Sequence, residues 1–271
     1  MKINGQTKLI GFLGSTFKTS RMYTMYNTAF ESLGLNYIYV PLAVKDLKKA
    51  VEGIRHLDIS AVGVTIPYKI KLIPFLDELD DNAKRIGTVN VVLNKDGKLI
   101  GGNTDGEGAV MALKEKTEIK GKKVILLGAG GAARAIAFAI KDAGGKLIIL
   151  NRTVGDAQEL ASAVDCQFAG LDELPEVVKK SDIVINSTSV GMFPKEDESL
   201  VSKELLHSSL IIQEVVSKPR ETKLIKEALA VGCSIVYAER MLLFQGLLKF
   251  KLYTGINPPV EVMEKALKEA I

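Results

Sequence analysis

The segment Val124–Ala139, VILLGAGGAARAIAFA, constrains the fold of this chain more than any other. It joins an apolar run typical of a buried strand to a helical pattern, through a turn with the spacing Gly128-x-Gly130-x-x-Ala133. The first glycine permits a tight turn, the second lets a pyrophosphate approach the backbone, and the small alanine allows close packing of the helix on the strand. The segment therefore predicts a strand-turn-helix unit whose first helical amides bind a dinucleotide. The alternative is a tight turn without a ligand.

Short apolar runs alternate with longer helical patterns along most of the chain, which favours an α/β fold with largely parallel sheets. A length of 271 residues favours two domains over one. A hairpin with its turn at 94–97 closes the first unit near residue 103, and two final helical patterns have no strand after them. We expect those helices to pack on the first unit, so that the chain crosses twice and the two units form a cleft. This predicts a mostly parallel α/β domain of residues 1–103 and 242–271, for substrate binding and catalysis, and a Rossmann dinucleotide-binding domain of residues 104–241.

Charge and composition indicate which partners and sites this protein is not expected to have. The 36 basic and 32 acidic residues are interspersed, so no basic stripe for nucleic acid is expected. The beginning of the chain lacks a signal-peptide pattern, and no apolar run reaches the ~18 residues that span a bilayer. Cys166 and Cys233 are far apart and lack further ligands nearby, so we expect neither a metal site nor a disulfide. These observations predict a cytoplasmic protein that contacts neither nucleic acid nor membrane.

The residues after the next strand bear on which dinucleotide binds. An NAD site usually has a carboxylate there for the ribose hydroxyls. Here the strand ends in Asn151, Arg152 and Thr153, and the guanidinium can pair with a 2'-phosphate. NADP is therefore the predicted cofactor, and a solvated surface arginine is the alternative.

Lys69 and Asp105 are the candidate catalytic residues. Lys69 follows the strand AVGVTIP, and Asp105 lies in the glycine-rich segment IGGNTDGEG. A cation and a carboxylate in one cleft suit carbonyl reduction, in which the developing alkoxide needs stabilisation and a proton. From the residues alone, an ordinary ion pair at a domain junction explains the pair equally well.

Taken together, the motifs VTIPYK, RIGTVNVVLNKDGKLIGGNTDGEG, LLGAGGAARA, NRT, NSTSVGM and RMLLFQG resemble those of shikimate dehydrogenases, in order and spacing. The resemblance covers nearly the whole chain. It implies a two-domain enzyme that uses NADPH to reduce 3-dehydroshikimate to shikimate, a step in the biosynthesis of aromatic amino acids. It also implies that Lys69 and Asp105 form the catalytic pair.

The resemblance assigns further site residues by motif. Thr65, Asn90 and Gln245 match substrate-binding positions. The matching cofactor-binding positions are Gly128, Ala129, Gly130, Gly131, Ala132, Asn151, Arg152, Thr153, Ser187, Thr188 and Met192. No metal ligand is implied.

The substrate side departs from the family pattern in several places. Of the usual Ser-x-Ser-Pro segment only Ser20 remains, because Met22 and Tyr23 replace the second serine and the proline. The other departures from usual residues are Tyr26 for histidine, Gly63 for asparagine, Glu214 for aspartate and Ser217 for tyrosine. Tyr23, Tyr26 or Arg21 would replace the lost hydrogen-bond donors, or else the two tyrosines only pack the helix on the sheet. We count Ser20 and Tyr23 among the substrate-binding residues.

Three functions follow from these patterns. The leading one is an NADP-dependent dehydrogenase of the shikimate type, acting on a small molecule as a monomer or homodimer. The second is a paralogue that oxidises quinate or another hydroxylated ring acid, because the Ser-x-Ser segment is altered. The third is a non-catalytic NADP-binding sensor, which would have no need of Lys69, Asp105, Asn90 and Gln245.

Overall fold

A computed structural model describes residues 3–15 and 20–270. The chain divides into two compact units, Met1–Thr104 with Gln245–Ile271, and Asp105–Phe244. Each unit is built on one six-stranded sheet.

The sheet of the first unit is mixed. Its strands are β1 (Lys8–Gly14), β2 (Tyr37–Ala43), β3 (Ala61–Val64), β4 (Glu78–Leu79), β5 (Val91–Lys95) and β6 (Lys98–Gly102). They lie in the order β2-β1-β3-β5-β6-β4. The pairs β1/β2, β1/β3 and β4/β6 are parallel, whereas β5 pairs antiparallel with β3 and with β6. The predicted hairpin at 94–97 is confirmed, as is a mostly parallel first sheet.

The sheet of the second unit is parallel throughout. Its strands are β7 (Lys123–Leu127), β8 (Lys146–Leu150), β9 (Gln167–Ala169), β10 (Ile183–Asn186), β11 (Ile211–Glu214) and β12 (Ser234–Val236). The order β9-β8-β7-β10-β11-β12 is that of the doubly wound dinucleotide-binding fold. The chain adds strands outward from β7 to β9 on one side, then returns to place β10 to β12 on the other side of β7. The predicted Rossmann-type fold is confirmed.

Helices cover these sheets. They are α1 (Arg21–Ser32), α2 (Leu47–His56), α3 (Tyr68–Lys71), α4 (Asp81–Ile86), α5 (Asp105–Lys114), α6 (Gly131–Asp142), α7 (Val154–Val164), α8 (Leu174–Val178), α9 (Lys223–Val231), α10 (Ala238–Thr254) and α11 (Val260–Glu269). The two C-terminal helices were expected from their apolar periodicity. Within the described ranges, no helix is both long and apolar enough to cross a membrane.

Opposite faces of the first sheet have different cores. Val62 and Val64 of β3 pack with Val51 and Ile54 of α2 in an aliphatic cluster. Successive side chains of a strand alternate between faces, and the other face carries Tyr39 of β2. Helices α1 and α11 pack together in this unit, and their side of the sheet is rich in aromatic rings.

Close packing of α5 on α6 fixes the beginning of the second unit. A Cβ on Gly106 would lie 2.2 Å from the carbonyl oxygen of Ala135, a contact that no side chain allows. Glycine at this position therefore lets the first turn of α5, which begins with Asp105, approach the backbone of α6.

Candidate active site

The predicted phosphate loop joins β7 to α6. Gly128 has φ +105°, and a Cβ there would lie 3.0 Å from the Ser187 hydroxyl oxygen, so the position requires glycine. Gly130 caps α6 without a side chain, and a Cβ on it would meet nothing within 4 Å. Open space beside a helix start whose first amides lack carbonyls of their own helix suits a diphosphate. Ala133 is fully buried, as the close packing of helix on strand requires.

The remaining loop residues, Ala129, Gly131 and Ala132, are half-buried at the same turn. They lie at the carboxyl end of β7, where ligands bind in open parallel sheets. The whole predicted loop therefore occupies one continuous backbone turn.

A second loop, Ser187–Met192, lies beside the first because β10 neighbours β7. Ser187 donates to the Leu127 carbonyl from its amide at 3.0 Å and from its hydroxyl at 2.6 Å. Thr188 donates to Asn186 Oδ1 from its amide and from its hydroxyl, at 3.2 and 2.7 Å. Met192 is exposed at the far end of the loop. The structure thus brings Ser187 and Thr188 next to Gly128, where the two loops can contact one ligand.

The residues predicted to select NADP follow β8. The side-chain Nδ2 of Asn151 donates to the carbonyl of Thr153 at 3.0 Å and reaches Asp156 Oδ2 at 3.5 Å. Arg152 is exposed, and Thr153 begins α7 without a side-chain cap. A guanidinium and an uncapped helix start both favour an anion, whereas the carboxylate of Asp156 opposes one.

A buried polar cluster joins three segments of the first unit. Asn90 Nδ2 donates to the Thr104 hydroxyl at 3.1 Å, and the amide of Thr104 donates back to Asn90 Oδ1 at 3.0 Å. The hydroxyl of Thr104 also donates to the carbonyl of Gln245 at 3.2 Å. Two predicted substrate residues, Asn90 and Gln245, are therefore brought together by Thr104. Sequence reasoning gave Thr104 no role, although the motif NTDG contains it.

Lys69 and Thr65 belong to the same part of the first unit. The strand β3 ends at Val64, earlier than expected, and Lys69 lies in the short helix α3. The carbonyl of Lys69 accepts from the amide of Val89 at 2.8 Å, directly before Asn90. The backbone amide of Thr65 donates to the carbonyl of Leu13 at 3.0 Å. The carbonyl of Thr65 accepts from the backbone amide of Tyr68 at 2.9 Å. Both side chains are half-buried, so each is held by its backbone while remaining partly accessible.

Asp105 begins α5 in the second unit, directly after Thr104 in the chain, and is 5% exposed. An acidic residue in the first turn of a helix is stabilised by the helix dipole. The packing at Gly106 fixes this turn against α6, whose own start forms the phosphate loop.

The first turn of α1 carries the altered Ser-x-Ser segment. The Ser20 hydroxyl accepts from the amide of Met22 at 3.2 Å, capping the helix. The sulfur of Met22 lies 3.9 Å from Gln245 Nε2, so the replaced position contacts a predicted substrate residue. The hydroxyl of Tyr26 donates to the carbonyl of Gly246 at 3.2 Å, and the side chain is fully buried. Tyr26 therefore packs α1 against α10.

Tyrosine hydroxyls converge on Gly63. A Cβ on Gly63 would lie 2.8 Å from the Tyr39 hydroxyl oxygen and 3.2 Å from that of Tyr253. Burial raises the pKa of both phenols, and the two hydroxyls interact with each other. The ring of Tyr23 packs on Phe12 and Tyr39, with centroids 6.2 and 6.1 Å apart, and burial raises its pKa too. Phenol groups therefore occupy the space in which an asparagine side chain would lie.

Comparison with known proteins decides the family. The model of the shikimate dehydrogenase substrate binding domain matches residues 12–92, that of shikimate / quinate 5-dehydrogenase matches 110–222, and that of the shikimate 5'-dehydrogenase C-terminal domain matches 239–268. A shikimate dehydrogenase (NADP(+)) of Carboxydothermus hydrogenoformans is 41% identical over 280 residues, covering 98% of this chain and 99% of the relative. The chain belongs to the shikimate dehydrogenase family.

Solved shikimate dehydrogenase structures agree in fold. One, a complex with NADP+, has a TM-score of 0.92 at 40% identity and covers 99% of this chain and 97% of its own. Another, from Thermus thermophilus in complex with NADP(H) and shikimate, has a TM-score of 0.90 at 32% identity, covering 97% and 100%. The predicted resemblance is confirmed. The match to the shikimate dehydrogenase substrate binding domain contains Thr65, Lys69 and Asn90.

Proposed function

We propose that this protein is a shikimate dehydrogenase that reduces 3-dehydroshikimate to shikimate with NADPH. The observation that carries the proposal is the match of all three family models to a chain that has the phosphate loop, Lys69 and Asp105. The open space beside Gly130 and the exposed Arg152 fit the diphosphate and the 2'-phosphate of the cofactor. The similarity to NADP-dependent relatives supports the same choice of cofactor.

Bound NADPH supplies a hydride from C4 of its nicotinamide to the C3 carbonyl carbon of the substrate. Lys69 holds the carbonyl oxygen, stabilises the negative charge that develops on it, and donates a proton to give the hydroxyl. Asp105 is assigned as the second catalytic residue by its place in the motif NTDG. Thr65, Asn90 and Gln245 hold the ring acid by hydrogen bonds, with Thr104 fixing the latter two.

The proposal also includes substrate contacts from the altered Ser-x-Ser segment at the start of α1. Ser20 retains a hydroxyl at the start of α1, and one turn later lies Tyr23, a half-buried residue whose hydroxyl oxygen is buried. We assign both to the substrate side. A phenol can donate one hydrogen bond to a carboxylate, as the missing serine would.

A paralogue acting on quinate or another hydroxylated ring acid is the second candidate. The observation that favours it is the packing beside Gly63, where the Tyr39 and Tyr253 hydroxyls occupy the space of the usual asparagine side chain. The contact of Met22 with Gln245 changes the same side of the site. A site that lacks a hydrogen-bonding group discriminates ring substituents differently.

Steady-state assays with shikimate and quinate, each with NADP+ and NAD+, test the proposal. The expected result is the highest kcat/KM for shikimate with NADP+. A higher kcat/KM with quinate would establish the paralogue instead. Tight NADPH binding without oxidation of either ring acid would support a non-catalytic sensor. The proposal also places the protein in the cytoplasm, as a monomer or homodimer, which cell fractionation and size-exclusion chromatography test.

A further inference from the structure

Glu214 is a buried carboxylate that the proposed reaction does not use. It is the last residue of β11 and pairs in register with Asn186, the last residue of β10. Its exposed fraction is 0%. An ionised side chain in such a place is costly unless donors surround it.

Every hydrogen bond recorded for the Glu214 carboxylate comes from a donor. Asn186 Nδ2 contacts both oxygens at 2.9 and 3.1 Å. The amide of Val216 donates to Oε1 at 3.0 Å, and the hydroxyl of Thr222 donates to Oε2 at 2.9 Å. Burial raises the pKa of Glu214, and these donors offset part of that effect. The Asn186 NH₂ group and the Val216 amide can only donate, which suits a carboxylate anion.

The carboxylate fixes the orientation of the Asn186 amide. Because ionised Glu214 only accepts, the NH₂ group of Asn186 must face it, and the same group also donates to the carbonyl of Val190 at 3.1 Å. The amide oxygen of Asn186 then faces Thr188 and accepts its two hydrogen bonds. The Val190 carbonyl and the Thr188 amide favour the same orientation, and a neutral partner at 214 would weaken the hydrogen bonds that hold the Asn186 amide in it.

The Asn186 amide in turn shapes the loop Ser187–Met192. The hydroxyl of Thr188 accepts from the amide of Val190 at 3.1 Å. Gly191 has φ +96°, and a Cβ there would lie 3.1 Å from the Thr222 side chain. The loop therefore packs on Thr222, which is another hydrogen-bond donor to Glu214. The beginning of the same loop touches the phosphate turn at Gly128. A continuous set of contacts therefore runs from the buried carboxylate to the surface assigned to NADP.

We propose that Glu214 is a positioning residue for the cofactor, which sets the shape of the loop Ser187–Met192 through Asn186. This inference rests on the proposed NADP site. It assigns Glu214 no contact with the cofactor and no share in proton transfer. Its effect is on cofactor affinity, because the loop it shapes lies against the phosphate turn at Gly128.

Glu214→Gln tests the inference, with Glu214→Asp and Ile212→Val as matched variants. Glutamine keeps the size but turns one acceptor into a donor, so NADPH affinity should fall about tenfold, while kcat at saturating cofactor changes less than about threefold. Aspartate keeps two acceptor oxygens and should restore affinity to within about threefold of wild type. Ile212 lies two residues earlier in β11 and is fully buried, so valine there lowers stability without touching the polar contacts.

Fluorescence titration of NADPH, thermal unfolding and steady-state kinetics on the four proteins separate the outcomes. Equal NADPH affinity of wild type and Glu214→Gln would overturn the inference, as would an equal loss of affinity in Ile212→Val. If wild type itself did not bind NADPH, the proposed function would fail instead. Should Glu214→Gln not fold, Thr222→Val removes one donor to the carboxylate, and it should weaken NADPH binding by about threefold or more. Unchanged affinity in that variant would also overturn the inference.

Discussion

Replacing Gly63 with alanine tests the packing of the tyrosines directly. The added Cβ would lie 2.8 Å from the Tyr39 hydroxyl, 3.2 Å from that of Tyr253 and 3.2 Å from Phe12 Cδ2. Ordinary contacts are about 3.5 Å or longer, so all three are too short. Overpacking of this kind costs about 1–3 kcal/mol. We expect Gly63→Ala to lower the melting temperature by about 2–4 °C per kcal/mol for a domain of this size.

Tyr39→Phe supplies the compensating change. It removes the hydroxyl that makes the shortest contact, and with it the interaction between the Tyr39 and Tyr253 hydroxyls. Alone, the change should lower the free energy of unfolding by about 1 kcal/mol or less, because it removes one interaction between two buried hydroxyls. Combined with Gly63→Ala, it should recover about 1 kcal/mol or more of the loss.

Urea denaturation of wild type, both single variants and the double variant measures this coupling. The free energies of unfolding should be non-additive, with the double variant more stable than the sum of the single effects predicts. Strict additivity would refute the reasoning, because it would mean that the Tyr39 hydroxyl does not occupy the space beside Gly63. Gly53→Ala is a control, since a Cβ there would meet nothing within 4 Å.

Two further predictions concern the second unit. Arg152→Ala should raise the KM for NADP+ about tenfold and leave the KM for NAD+ nearly unchanged. Asp156→Asn should lower the KM for NADP+. Equal effects on the KM values of both cofactors would contradict a 2'-phosphate contact. Burial raises the pKa of Cys166 from 9.0 to about 11, so its alkylation by iodoacetamide at pH 8, followed by mass spectrometry, should be about a hundredfold slower than that of a free cysteine peptide. Between pH 9.0 and about 11 the thiol ionises in the unfolded state but stays neutral in the folded state. Its contribution to the free energy of unfolding is therefore complete below pH 9 and should be lost as the pH rises towards 11. Alkylation at the rate of the peptide, or stability that rises over this pH range, would contradict the assignment.

The strand-turn-helix unit assigned to the cofactor was predictable from sequence because its signals are local. The segment from Val124 to Ala139 contains the strand, the turn and the helix that form the phosphate loop, and its glycines are required at positions a few residues apart. Alternating strands and helices likewise indicated the doubly wound sheet, since parallel strands need helical crossovers.

Contacts between distant segments were not predictable in the same way. Thr104 bonds to Gln245 across 141 positions, and Tyr39 and Tyr253 meet at Gly63 from two further elements. No local pattern encodes such a meeting, because it depends on strand register and helix packing. Glu214 stood out in the sequence only as a replacement for the usual aspartate, and the role proposed for it depends on its register with Asn186. The short helix α3 was also missed, since the apolar run suggested a longer strand.

Catalysis by Lys69 is the central claim, and the kinetics of Lys69→Ala test it most directly. With shikimate and NADP+ at saturation, kcat should fall by about a hundredfold or more, because the oxygen loses both its stabilising charge and its proton-transfer partner. The KM for shikimate should change by less than about threefold, since Thr65, Asn90 and Gln245 remain. A variant with nearly unchanged kcat and a strongly raised KM would contradict the claim, because it would show that Lys69 only binds the substrate.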